Sequence, residues 1–284
     1  MSLLDEKALG KRLQNVRKQK GFTQQALCQA ANLSYSTLAK IERGAIKAPS
    51  IFTVQSIAEA LQISLDELLG VQTGAIGQSN RKSQGGVSFI YFDVNDTLVR
   101  AAQRGFSILA EQTGTLPDVI ERIFWHYNDE LCRGTMSIDD FDQLLSKRLG
   151  APVNWRQAYL DGAEPIQVMQ ELLTWASQQY RVGIMSNGLP GLLSGLREHH
   201  LLPDVPYAAI IDSSEIGFAK PDPKIYELAQ ERAGVPAGEI LLIDDNRSNL
   251  IVAEQQGWHV AMFDGYRADD STARIRATLE PAAN

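Results

Sequence analysis

Five short apolar runs set the limits on what this chain can fold into: 87–93 (VSFIYFD), 182–186 (VGIMS), 207–212 (YAAIID), 239–245 (EILLIDD) and 259–264 (HVAMFD). Each is long enough for one strand, and stretches of helical apolar spacing separate them. Their apolar residues run on continuously instead of alternating with polar ones, as in strands buried on both faces. That pattern predicts a doubly wound α/β domain with a parallel sheet. The first run ends in Asp93, followed at once by a polar turn. Open α/β sheets place their chemistry at this carboxyl edge. The gap after the first run is much longer than the others and holds amphipathic helices from about 102 to 160, which predicts a small helical cap above the sheet edge.

The region before this domain reads differently. Residues 5–19 have apolar residues at Ala8, Leu9, Leu13 and Val16, a helical period that Gly21 ends. Thr23 caps a short helix from Gln24, and Ser34 caps a third helix running through Ile41 and Glu42 to Arg43-Gly44. Pro49-Ser50 opens a fourth, and Ser64 with Glu67 has capping-box spacing in a final turn. An all-α bundle is expected over 1–70. Residues 71–86, rich in Gly, Ser, Gln and Asn, are expected to form a flexible linker, leaving 87–284 to the α/β domain.

Charge divides the chain along the same line. Residues 1–85 carry 11 Lys/Arg against 6 Asp/Glu, a balance of +5, while residues 86–284 carry 16 against 28, a balance of −12. A basic small domain on an acidic large one suggests that only the first meets a polyanion. No run of about 18 apolar residues occurs, so no membrane span is expected. The mixed, charged start does not read as a secretory signal, and Cys28 and Cys132 fall in different domains. A reducing, cytoplasmic setting is expected.

The string from Gly21-Phe22-Thr23-Gln24 through Leu33-Ser34-Tyr35-Ser36-Thr37-Leu38 to Ile41-Glu42-Arg43-Gly44 resembles the phage-repressor (Xre-type) helix-turn-helix family. The resemblance implies binding to a double-stranded DNA operator, with the second helix of the motif in the major groove. By position it implies Tyr35, Ser36 and Thr37 at base edges and Lys40 at a base or a phosphate. Gln24, at a helix N-terminus, is implied to hold a phosphate. Arg17, Lys18, Lys20, Arg43 and Lys47 are candidates for neutralising the DNA backbone. Glu42 reads as structural. Such folds usually act as dimers, so a homodimer is implied.

Four further strings, in order and spacing, resemble the haloacid dehalogenase-like (HAD) phosphohydrolases: Asp93-Val94-Asn95-Asp96-Thr97, Met185-Ser186-Asn187-Gly188, Ala219-Lys220-Pro221-Asp222-Pro223, and Ile243-Asp244-Asp245-Asn246 with Asn249. The resemblance implies an attacking carboxylate at Asp93. It also implies magnesium held by Asp93, the backbone carbonyl of Asn95 and Asp245, supported by Asp244 or Asn249. Phosphoryl oxygens would be bound by Ser186, the Asn187 backbone and Lys220, with Thr97 orienting the loop. Such a set fits phosphoryl transfer, in which charge must be neutralised around an anion.

The chain departs from the family pattern at Asn95, where an Asp general acid/base is usual. An amide cannot exchange a proton as a carboxyl group does. Four outcomes remain open: a slow phosphatase, a long-lived phosphorylated Asp93, a sensor that only binds phosphate or a small phosphorylated ligand with magnesium, or a dehalogenase. The last needs no magnesium, and the acidic pair Asp244-Asp245 ranks it lower. The expectation is a transcription regulator with a sensing or dimerising HAD-like domain. A slow magnesium phosphatase is second, and an inert scaffold for protein contacts is third. The aromatic run Phe124-Trp125-His126-Tyr127 is expected to be helix core more than pocket lining.

Overall fold

The computed structural model describes residues 6–46, 49–61, 63 and 81–280. The chain forms two compact units, Met1–Ala75 and Ile76–Asn284. The capping turn expected over 64–69, most of the expected linker and Lys47 lie outside the described residues.

The first unit holds α1 (Glu6–Gln19), α2 (Gln24–Ala30), α3 (Tyr35–Glu42) and α4 (Ile51–Leu61). Thr23 and Ser34 cap α2 and α3, each side-chain oxygen accepting from the backbone N–H three residues on, at 3.1 Å. Leu13, Leu27, Leu38, Ile41, Val54, Ile57 and Leu61 form the core. Gly10 lets α1 close on the end of α3, since a Cβ there would lie 2.4 Å from the Ile41 carbonyl oxygen.

The second unit is built on five parallel strands, β1 (Phe89–Phe92), β4 (Arg181–Ser186), β5 (Ala209–Asp212), β6 (Ile240–Asp244) and β7 (His259–Met262), in the order β5-β4-β1-β6-β7. The central strand explains the unbroken apolar runs. Ile90 and Phe92 point into one core cluster and Phe89 and Tyr91 into another, so both faces are buried. The last strand is less buried than its sequence predicts: His259 and Met262 are exposed because β7 is an edge with one neighbour.

Four helices form the cap inserted after β1: α5 (Ala102–Thr113), α6 (Pro117–Cys132), α7 (Ile138–Leu149) and α8 (Trp155–Gly162). They pack around Phe106, Phe124, Phe141 and Trp155. The chain enters and leaves this cap through a short antiparallel ribbon, β2 (Val99–Arg100) with β3 (Glu164–Pro165). Helices α9 (Gln167–Ser177), α10 (Leu192–Glu198), α11 (Ser213–Ile216), α12 (Pro223–Ala233), α13 (Arg247–Gln255) and α14 (Ala268–Thr278) complete the unit.

Residues 82–86, assigned by composition to the linker, are fastened to this unit. Gln84 N–H donates to the Glu280 carbonyl at 2.9 Å, Lys82 pairs with Glu239 at 2.5 Å, and Ser83 is buried. A polar surface turn and a free linker have the same composition, which is why the sequence does not separate them. No helix among the described residues is long and apolar enough to cross a membrane.

Candidate functional site

Parallel register brings three strand ends together. Phe92 is level with Ile184 on one side and Ile243 on the other, and Asp93 N–H donates to the Ile243 carbonyl at 2.9 Å. The next residues of each strand therefore share one edge: Asp93 after β1, Ser186 ending β4, and Asp244-Asp245 at the end of β6. Ligand oxygens of Asp93, Asp244 and Asp245 all lie within 4.8 Å of one another. The turn after Asp93 places Asp96 at φ 56°, a left-handed conformation uncommon for a residue with a side chain.

Lys220 lies buried at the centre of this cluster. Its ammonium donates to Asp93 Oδ1 at 2.7 Å, to Asp244 Oδ2 at 2.6 Å and to the Met185 carbonyl at 2.8 Å. These occupy its three N–H donors, so contact with a phosphoryl oxygen requires one of them to exchange. Asp244 is likewise engaged. Its Oδ1 accepts from Asn246 N–H at 2.8 Å, and Asn249 Nδ2 donates to both its oxygens, at 3.0 and 3.1 Å. Asp244 and Asn249 thus brace the cluster, while Asp93 Oδ2 and the Asp245 carboxylate are left for a ligand. Thr97 reaches Asp245 only at 3.5 Å.

Asn95 is tied on both sides of its amide. Its Nδ2 donates to the Asn187 carbonyl at 3.3 Å, and its Oδ1 accepts a short hydrogen bond from the Tyr159 hydroxyl on α8. Asn187 in turn clasps the Lys220 backbone through two bonds of 2.7 Å. Sequence reasoning missed Tyr159, because one aromatic residue on a buried helix face reads as core. Of the aromatic run, Phe124 joins the cap core as expected but also lines the cavity above Asp93, together with the half-exposed Trp125. That cavity, of about 280 Å³, also brings together Asn95, Ser186, Asn187, Lys220, Asp245 and Asn249.

The electrostatics show a cluster short of positive charge. Burial pushes the Asp93 carboxyl up to about 7; Lys220 opposes the rise, and Asp244 and Asp245 add to it. Burial, then the charges of Asp244 and Asp96, pushes Asp245 up to about 6. Burial works against the Lys220 charge, but Asp244 and Asp93 outweigh it and hold the ammonium above its ordinary range. Burial also raises the Tyr159 phenol, which stays protonated as the donor to Asn95. With all three carboxylates ionised, the cluster and Lys220 sum to a formal −2. The free donors are oxygens. Both properties suit a hard divalent cation.

In the helical unit, Tyr35, Ser36, Lys40 and Arg43 are exposed on or beside α3, and Thr37 is half-buried. The Ser36 and Thr37 hydroxyls lie 3.0 and 2.8 Å from Ser34 Oγ. Arg43 turns back to the Ala39 carbonyl at 3.1 Å. Arg17 departs from its expected role as a phosphate contact. It is buried, pairing with Glu42 through Nε–Oε1 at 2.6 Å and Nη2–Oε2 at 3.1 Å. A basic residue in a basic stretch reads as surface, and the sequence does not reveal a carboxylate folded onto it from 25 residues away. Glu42 is structural, as expected. Its Oε2 also accepts from Gln24 Nε2 at 2.7 Å, and Gln24 Oε1 accepts from the Tyr35 hydroxyl at 2.9 Å.

A parallel sheet with a carboxylate cluster at its carboxyl edge, covered by a helical cap, defines a capped doubly wound α/β domain with an acidic site, in a chain that also carries a small helical unit. Residues 87–257 match the family model of haloacid dehalogenase-like hydrolases, and the chain belongs to that family. Residues 13–68 match the helix-turn-helix family model, of the phage-repressor type. Over 59 residues, 21% of this chain and 84% of the relative, the chain is 44% identical to YazB, an uncharacterized HTH-type transcriptional regulator of Bacillus subtilis. Over 139 residues, 48% of this chain, it is 28% identical to (S)-2-haloacid dehalogenase 4A of Burkholderia cepacia, and it spans 57% of that enzyme's length. A HAD family enzyme of Bacteroides thetaiotaomicron, solved with magnesium and inorganic phosphate, has a similar fold, with TM-score 0.51 at 18% identity over 63% of this chain and 96% of that one.

Proposed function

We propose that this chain is a DNA-binding transcription regulator whose HAD-like domain binds magnesium and phosphate, or a small phosphorylated ligand, as a sensor. The observation that carries the reading is Asn95. Around it stand the groups that phosphoryl handling needs, yet the residue nearest a proton-transfer role is an amide locked between Tyr159 and Asn187. Asp93, Asp245 and the Asn95 backbone carbonyl would hold the cation, which when bound supplies positive charge beside the phosphoryl oxygens. Ser186 and the Asn187 backbone orient those oxygens. Lys220 draws Asp93 and Asp244 together and opposes the rise in the Asp93 carboxyl. Ligand occupancy is transmitted to a helix-turn-helix unit that acts on DNA as a homodimer in the cytoplasm.

The reading is tested by melting the full chain with magnesium and phosphate, separately and together, then measuring operator binding with and without the pair. Joint stabilisation without an effect on DNA binding removes the sensor role. A second reading, a slow magnesium phosphatase with accessory DNA binding, rests on the same filled site and is separated by turnover.

The sign of the pH dependence follows from the two raised carboxyls. The metal-free native state holds protons on Asp93 and Asp245 that the unfolded chain, near 3.8, has released. Stability of the metal-free protein therefore falls as pH rises from about 4 to about 7, and levels off above. Asp93 and Asp245 would have to release those protons to hold magnesium. Its stabilisation should be about 1.4 kcal/mol at ten times its Kd at pH 8, should shrink toward pH 5, and should vanish in Asp245→Asn. Melting curves at several pH values, with about millimolar magnesium, check this. A magnesium effect that persists in Asp245→Asn places the cation elsewhere.

Duplex binding by the helical unit should weaken steeply with salt, because phosphate neutralisation releases counterions. Lys40→Ala should weaken binding to a selected operator. Where Lys40 meets a phosphate, it should also lower the slope of log affinity against log salt by about 1. Absence of duplex binding at low salt by the full chain contradicts the regulator reading.

A further inference from the structure

The cavity above Asp93 has two sides of different chemistry. One is the ionic floor already described. The other, from the cap, the loop after β4 and α10, presents Phe124, Trp125, Leu189, Leu193 and Leu196. Among the described residues Lys220 is the only cation lining the cavity, and its three donors are already engaged. The lining side chains from the cap carry no charge of either sign. Two of the neutral polar ones have protein partners: Gln103 Nε2 donates to Glu121 at 3.2 Å, and Asn128 Oδ1 accepts from the Cys132 thiol at 3.6 Å. A second anionic group on a ligand would enter with no counter-charge, and burying an unpaired charge is costly. A cationic body would find carboxylates only on the side of Asp93, Asp96 and Asp245, and none on the cap side.

Size narrows the class further. A volume of about 280 Å³ is at the small end for ligand pockets, which run to about 1,000 Å³. That accommodates a phosphoryl group and a body of about four to six heavy atoms. A nucleotide would project out of it into solvent, and a bisphosphate has too much charge.

We propose that this site takes a small monophosphate ester with an uncharged, apolar body of about four to six carbons, and that Leu193 and Trp125 set this preference. The proposal rests on the magnesium-and-phosphate reading above and names the ligand class for it. Leu193, in the first turn of α10, is buried against the cavity, while Trp125 covers it from α6 with about half its surface exposed.

The test is calorimetric titration of the full chain, with magnesium, by inorganic phosphate and by straight-chain alkylphosphonates from methyl to hexyl, whose P–C bond offers no leaving oxygen. Each added methylene should tighten Kd about threefold to fourfold, the effect of burying one CH₂, up to about five carbons. The gain should then stop as the cavity fills. Phosphonoacetate, with a second anionic group, should bind at least tenfold more weakly than the propyl compound. Leu193→Asn should flatten the series to under twofold per methylene while leaving inorganic phosphate binding unchanged. Trp125→Ala, at a half-exposed position that leaves the cap core intact, should flatten it in part. If phosphate binds but the wild-type series is flat, or phosphonoacetate equals propylphosphonate, the ligand class is wrong and the phosphate reading stands. If neither phosphate nor any phosphonate binds with magnesium, both fail.

Discussion

Asn95→Asp should raise phosphate-ester turnover by about 10²–10⁴-fold, the usual contribution of a positioned general acid/base. That is about 3–5 kcal/mol off the barrier. The site favours such a group in its useful form. Tyr159 would go on donating to one oxygen of the introduced carboxyl, as it does to Asn95 Oδ1. The other oxygen would face the Asn187 carbonyl, which now accepts from Asn95 Nδ2 at 3.3 Å. A carbonyl only accepts, so a proton on that second oxygen is stabilised, and a protonated carboxyl is what a departing alkoxide needs. The gain should be larger for alkyl phosphates than for aryl phosphates, because a phenolate leaves without a proton more easily. The assay is kcat with magnesium on an aryl phosphate and a panel of alkyl, sugar and nucleotide monophosphates, with Asp93→Asn as the blank. A fast wild type that loses activity only on Asp93 substitution would show that the amide is no handicap, and would place the phosphatase reading first.

The second large effect is expected in the helical unit. Glu42→Ala should destabilise it by about 3–5 kcal/mol, the usual result of leaving one partner of a buried ion pair alone. The Arg17 and Glu42 side chains are only 8% and 1% exposed. The guanidinium would keep its bond to the Phe22 carbonyl at 2.8 Å but lose both carboxylate contacts. Removing both charges, as in Arg17→Met with Glu42→Leu, should cost much less, because no buried charge is left unpaired. The two units can be followed separately. All four tryptophans, Trp125, Trp155, Trp175 and Trp258, belong to the α/β unit. In Glu42→Ala, part of the helical circular-dichroism signal should therefore melt early while the tryptophan fluorescence transition stays in place. A substitution that moves neither transition shows that the pair contributes little. Gln24 is held by Glu42 and holds Tyr35, so DNA affinity should fall with the helical unit's stability.

Much of the architecture was legible in the residues. Five apolar runs predicted five parallel strands, because a strand buried on both faces needs apolar residues at every position. Thr23 and Ser34 predicted their helix starts, since a side-chain oxygen before a helical period has a local partner. The long gap after the first run predicted the cap. Where the reading failed, the signal was not local. The turn at 82–86 looks like linker until Glu239 and Glu280 are brought beside it. Arg17 looks like a surface cation until Glu42 covers it. Tyr159 looks like core until α8 is set above Asn95.

The sequence by itself determined which elements form and which chemical groups stand at the ends of the strands, because hydrophobic period, capping and strand order act through near neighbours. It placed Asp93 at the carboxyl edge of a strand, and the family resemblance added Ser186, Lys220 and Asp245. Only the tertiary structure decided what those groups do to one another. Lys220 bonds Asp93 from 127 residues away and Tyr159 reaches Asn95 from 64 away. Such contacts depend on register and cap position, which no local pattern encodes. Desolvation and charge pairing then set the state of the cluster, raising Asp93 to about 7 and holding Lys220 charged, and both act only once the chain has closed around them.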